Sequence, residues 1–175
     1  MRHASSTLIV AMTLFGMSGV ARADAPADFL AKAMQTSMAE VELGKLAQKN
    51  AQSSGVNALG VRLERDHARI GKILAMIARE KGVTIPVSLD SGRRSVIDSL
   101  SAKRGAEFDA AYSALMVSDH EKAVALFTAT AESGDAQLSR VAKLALPTLR
   151  EDERLAGSFE KLNPGDNVQS VASRQ

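Results

Sequence analysis

The sequence predicts an all-α protein: an up-down four-helix bundle with a long crossover, carrying one short helix, between its second and third long helices. Three observations predict it. Four stretches of about 25 residues repeat their apolar side chains at helical spacing. Two of the joints are tight, Ser53-Ser54-Gly55 and Ser133-Gly134-Asp135. The composition is dominated by Ala, Leu, Val and Met, with 3% aromatic residues, the vocabulary of helices. Cys is absent, so disulfides, thiol catalysis and thiolate metal sites are excluded and stability must come from packing.

A leader precedes the bundle. Arg2 and His3 open the chain, residues 8–15 form a short apolar core, and Ala21-Arg22-Ala23 supplies a cleavage motif. Residues 1–23 are therefore expected to be a secretory signal peptide, with Asp24 the mature start and the periplasm or the exterior the destination; outer-membrane association stays open. The apolar run is too short for a permanent anchor, and no transmembrane segment is expected after processing. Removing residues 1–23 from 175 leaves 152, one domain. Arg2 and Arg22 leave with the leader, so 20 of the 22 basic residues remain against 20 acidic ones. The sequence pI near 9.0 then says nothing for nucleic acid, and no nucleic-acid partner is expected. A homo-oligomer or an envelope partner stays open.

The first helix is expected from an N-cap at Asp28 to about Gln52. Its inward stripe is small: Ala33, Ser37, Gly44, Ala47 and Ala51, flanked by Phe29, Leu30 and Val41, with Glu40 at its centre and Glu42 turned to solvent. The second follows the Ser53-Ser54-Gly55 joint, runs to about Lys81 and stops at Gly82. Val56, Leu59, Leu63, Ile70, Leu74 and Ile77 share its apolar face, His67 falls within it, and Arg62, Arg65, Arg69, Lys72 and Arg79 gather on the opposite face. The crossover, 83–104, holds a short helix at 91–102 behind Asp90, with Arg93 and Arg94 solvated. The third long helix spans about 105–132, with Asp119 and His120 on or beside the face of Phe108, Tyr112, Met116 and Phe127. In the fourth, Leu138, Val141, Ala145, Leu149, Ala156 and Phe159 form the stripe, Asp152 lies inside it, and Pro147 should kink the helix. The bundle domain is thus 24–162. The tail, 163–175, is polar and aperiodic and is expected to be disordered.

Six titratable residues in or beside the apolar stripes are therefore expected to form one polar layer across the core: Glu40, Glu64, His67, Asp119, His120 and Asp152. Glu64 and His67 make a Glu-x-x-His step, the local pattern of carboxylate-bridged metal sites in helical bundles. A rise of about 1.5 Å per residue puts Glu40 and His67 roughly 20 Å from the first turn. His120 is level with them if the crossover returns the chain to the same end, and Asp152 is about one turn off.

The run Met38-Ala39-Glu40-Val41-Glu42-Leu43-Gly44-Lys45-Leu46-Ala47, the step Arg65-Asp66-His67, Phe108-Asp109-x-x-Tyr112, Met116-Val117-Ser118-Asp119-His120-Glu121-Lys122 and Leu146-Pro147-Thr148-Leu149 resemble a bacterial exported family of unknown function. The likeness covers about 27–162. It implies a ferritin-like bundle in the bacterial envelope and no established reaction. The family commonly carries His where this chain has Asp152.

Three readings follow. The six groups can satisfy one another as a buried His–carboxylate network that sets helix register. They can instead hold one divalent ion, Fe, Mn or Zn; a six-ligand two-metal centre is not supported, because the last helix lacks a Glu-x-x-His. The Arg-rich face of the second helix can also serve an envelope partner. No nucleophile motif, phosphate loop or nucleic-acid motif is present, so no enzymatic reaction is indicated.

Overall fold

The structure, a computed structural model, describes residues 24–162. The leader at 1–23 and the tail at 163–175 lie outside the described residues. Five helices follow in order: α1 Asp24–Asn50, α2 Ser54–Lys81, the short α3 Ser91–Ser101, α4 Gly105–Ala131 and α5 Ala136–Leu162. Among the described residues there is no strand, only an isolated bridge between Ala51 and Gly105, and no helix is long and apolar enough to cross a membrane.

The helix ends show why the chain turns where it does. α1 begins at Asp24 rather than after Asp28, because Pro26 falls in the first turn, where a missing N–H costs nothing. Ser53 caps α2 through its hydroxyl, and Gly82 ends it in the left-handed region at φ 66°, a conformation glycine adopts without strain. Asp90 caps α3 by accepting from Arg93 N at 2.8 Å. Asp135 caps α5, its Oδ1 accepting from Gln137 N and Leu138 N at 3.0 Å each. Its other oxygen accepts from Lys81 Nζ at 2.6 Å, which ties the end of α2 to the start of α5. α5 continues as one helix through Pro147.

The short joints make α1 antiparallel to α2 and α4 antiparallel to α5. Across the crossover the expected alternation does not hold. Asp109 near the start of α4 accepts from Gln52 N and Ser53 N at 3.1 and 2.7 Å. Asn50 donates to the carbonyls of Ser101 and Lys103. The crossover therefore leaves from one end of the bundle and delivers the chain to the other, so α4 runs parallel to α2. Its length permits this: α3 alone spans about 16 Å at 1.5 Å per residue. His67 stays level with His120 despite the reversal, because it lies fourteen residues from both Ser53 and Lys81.

The apolar interior falls into two clusters. One gathers Phe29, Leu30, Leu74, Ile77, Phe127, Leu138 and Leu149; the other gathers Leu43, Val56, Leu63, Phe108, Tyr112, Met116 and Ala156. Each long helix crosses the gap between them with a buried polar side chain: Glu40, His67, His120 and Asp152, all 0–2% exposed. The small-residue stripe of α1 explains how closely the first hairpin packs. A Cβ on Gly44 would stand 2.5 Å from the Gly60 carbonyl oxygen, and one on Gly60 2.7 Å from the Gly44 oxygen. The two backbones touch where neither residue has a side chain.

Candidate metal centre

His120 is fixed by its own helix. Its Nδ1 lies 2.9 Å from the Met116 carbonyl oxygen one turn earlier. A carbonyl only accepts, so Nδ1 carries the hydrogen and Nε2 keeps a bare lone pair. That lone pair faces Asp152 Oδ2 at 3.9 Å, and neither atom has a hydrogen-bond partner. His67, from α2, stands edge-on to His120 with ring centroids 5.5 Å apart and an interplanar angle of 86°. Both of its ring nitrogens are buried without a partner. His67, His120 and Asp152 each offer one ligand atom, and the three atoms lie within 4.8 Å of one another.

Asp152 is held from the other side. Arg62 Nε donates to Asp152 Oδ1 at 2.5 Å, and Arg62 also lies 3.8 Å from Asp66. Arg62 is thus not part of the solvated arginine face the sequence suggests. Of the two crossover arginines expected in solvent, Arg94 is exposed and grips Glu42 at the surface with two bonds of 2.6 and 3.0 Å, whereas Arg93 is partly covered and donates to Thr36 Oγ1 at 3.1 Å. Both fasten the crossover to α1.

Burial governs protonation here, because it penalises whichever form is charged. It drives the His67 pKa down to about 3, with the neighbouring His120 adding to the effect. His120 is lowered by burial too, partly opposed by its bond to Met116. Asp152 is raised to about 6 by burial, against the pull of Arg62. Glu40 is raised to about 8 by burial and then by the charge of Asp119, with Arg93 opposing. At neutral pH the layer therefore presents two neutral imidazoles and an ionised Asp152, the protonation states metal binding requires.

Of the six residues expected to meet, the structure brings three together. Glu40 is buried in the same layer, with both oxygens unpartnered, but stands outside the group of three. Glu64 leaves the layer: it accepts from Gln48 Nε2 at 2.7 Å and lies 3.9 Å from Lys45. Its backbone abuts Gly44, so its side chain is steered out along the α1 seam. Asp119 also faces outward and pairs with Lys122 at 3.3 Å; adjacent helical residues diverge by about 100°, so it and His120 cannot both point inward. Two participants were not expected. Arg62 could have been suspected from its place at the edge of the α2 stripe, one turn before Asp66. The Tyr112 hydroxyl, buried and unpartnered, has its pKa raised by burial and then by Glu40 and Asp152; as an aromatic residue in an apolar stripe it gave no signal.

The model of a family described as domain of unknown function (DUF4142) matches residues 16–158. A crystal structure of a DUF305 fragment from Deinococcus radiodurans superposes with a TM-score of 0.69 at 14% identity, covering 78% of this chain and 96% of that one. At that identity the likeness shows the fold alone. No curated protein matches.

Proposed function

The chain belongs to the family described as domain of unknown function (DUF4142), and from that footing we propose that it is an exported, ferritin-like helical bundle that binds one divalent metal ion on His67, His120 and Asp152. The observation that carries this reading is a pair of buried acceptors with no donor between them: the His120 Nε2 lone pair and Asp152 Oδ2, 3.9 Å apart. Two acceptors face each other at such a place only at a cost, unless a cation or a proton-donating molecule sits between them.

Two His and one carboxylate suit Fe(II), Mn(II) or Zn(II), and Fe(II) in particular holds such a set with positions left open. Ligand atoms on a tetrahedral ion with bonds of about 2.0–2.1 Å lie about 3.4 Å apart, so His120 and Asp152, now 3.9 Å apart, would close by about half an ångström on loading, and His67 would move in with them. Its outer shell is in place, with Met116 holding the His120 tautomer and Arg62 holding Asp152. A closed network would pair these groups with one another, whereas both Glu40 oxygens, both His67 ring nitrogens, His120 Nε2 and Asp152 Oδ2 have no hydrogen-bond partner. Metal handling or stress response in the envelope is the role this reading supports.

Elemental analysis of the mature protein, chelated and then incubated with each ion, tests the proposal. One ion per chain is expected for the wild type, with a raised melting temperature, and His67→Ala should lose both. A wild type that retains no ion and melts alike with chelator and with every metal would defeat it.

A further inference from the structure

One of the three residues, His67, borders a cavity on the surface. A groove of about 650 Å³ runs between α1 and α2 and reaches His67, a size typical of small-molecule sites. Its walls are apolar, formed by Met34 and Met38 of α1 and Ala68 and Ala75 of α2, with Val87 and Leu89 of the crossover over it. Val87 is 94% exposed, an apolar side chain left in solvent at the mouth. The crossover is pinned there: Gln35 donates to Ser88 O at 2.8 Å and accepts from Asp90 N at 3.1 Å. Around the rim stand Lys45, which reaches Glu64 at 3.9 Å outside the groove, and Lys72; Glu42, the one acid among the lining residues, is engaged by Arg94, so the lining carries a positive excess.

A groove with apolar walls and a basic rim recognises an anion with an apolar body. What makes this one a candidate site is its floor. His67 is 2% exposed with both ring nitrogens unpartnered, and it belongs to a set of only three protein ligands. Divalent ions held by three protein side chains keep a position for water or substrate. We propose that the α1–α2 groove admits a small organic anion with an apolar tail, a carboxylate of a few carbons, whose head group takes the metal position that His67, His120 and Asp152 leave free. This rests on the metal reading above and adds to it the class of ligand and its route.

The test uses the mature chain loaded with Co(II), whose visible d–d bands report coordination, and two probes, azide and hexanoate. Azide reports an open metal position alone; hexanoate requires the groove as well. Two variants fill the groove. At Gly71 an added Cβ would make only ordinary contacts, 3.6 Å from Ser37 and 3.9 Å from Met34 Sδ, so Gly71→Leu extends into the groove from a tolerated position. Ala75 is exposed on its wall, so Ala75→Phe carries little risk to folding. Hexanoate should change the wild-type bands saturably. Both variants should weaken hexanoate at least tenfold while Co(II) still loads and azide still acts. If Co(II) gives no d–d bands, the metal reading itself fails and the inference falls with it. If bands form but hexanoate leaves them unchanged, or binds both variants as it binds wild type, the inference alone is overturned.

Discussion

Arg62 and Asp152 meet across the seam between α2 and α5, Nε to Oδ1 at 2.5 Å, and that contact leaves Oδ2 turned toward His120. One oxygen serves the arginine and the other has no hydrogen-bond partner. The hydrogen bond also opposes the rise that burial imposes on the Asp152 pKa. Arg62→Ala should therefore raise that pKa further above about 6, so that protons compete with metal at pH 7. The expected result is a loss of metal affinity of about tenfold or more, typical of removing an outer-shell partner. The loss should be partly recovered at pH 8.5. Competition against a chromophoric chelator at the two pH values measures it.

His67→Leu separates binding from stability. The chelated protein buries two imidazole nitrogens without hydrogen bonds, at a cost of about 1–3 kcal/mol for an unsatisfied polar group. Leu has similar bulk and no polar atom. Urea denaturation with chelator present should find the variant more stable than wild type by about 1 kcal/mol or more, although metal no longer raises its melting temperature. A less stable chelated variant would mean that His67 has a partner inside the layer.

Glu40 gives the chelated protein a pH signature. Its pKa is raised from 4.5 to about 8, so the folded state holds a proton that the unfolded chain releases. That contribution is complete below pH 4.5 and is lost as pH climbs through 8. His67 works in the opposite direction, with a folded pKa near 3 against 6.5, and it contributes no slope well above 6.5. Stability should fall on the order of 1–2 kcal/mol between pH 6.5 and 8, at up to about 1.4 kcal/mol per pH unit for one proton. Glu40→Gln should flatten the slope. Denaturation midpoints at three pH values in that range decide it.

Gly44→Ala tests the close approach of the first hairpin. The added methyl would meet backbone on both sides, Gly60 O at 2.5 Å and Glu64 N at 2.8 Å, and backbone cannot swing aside as a side chain can. A loss of about 1–3 kcal/mol is expected, even though alanine is the better helix former by about 1 kcal/mol. A neutral or stabilising result in urea denaturation would contradict the packing described.

Asp109→Ala should be costly at a site remote from any ligand. Asp109 is 2% exposed, and its carboxylate receives the two backbone N–H groups at the α1–α2 turn. Removing it leaves those donors without that acceptor and should cost about 2–3 kcal/mol, with metal stoichiometry unchanged. Paired denaturation and elemental analysis check both halves.

What was legible in the sequence follows from which interactions are local. The ends of α2, α3 and α4 could be read because Gly82, Asp90 and Gly105 act within one turn of chain. The polar layer could be read because an interrupted apolar stripe is also a local pattern. Which flank of a helix is covered depends on its neighbours, and that information is not local. The cover over Arg62 and Arg93, and the end of the bundle to which the crossover delivers the chain, are for that reason not legible in the sequence. Glu64 and Asp119 leave the layer because nearness on a helix surface is not a shared direction.

The parallel run of α2 and α4 bears on how the protein assembles. Each hairpin closes through a tight turn and can form from contacts close in sequence, which favours speed. The three proposed ligands are divided between the hairpins, His67 on the first and His120 with Asp152 on the second. A lone hairpin therefore offers an ion only part of its set, and binding free energy is gained only after the two dock. Metal added during refolding should leave the early hairpin-forming phase unaltered and act on the docked state, slowing its unfolding. The ion would then work as a latch closed last, and its removal would be the natural first step in taking the molecule apart.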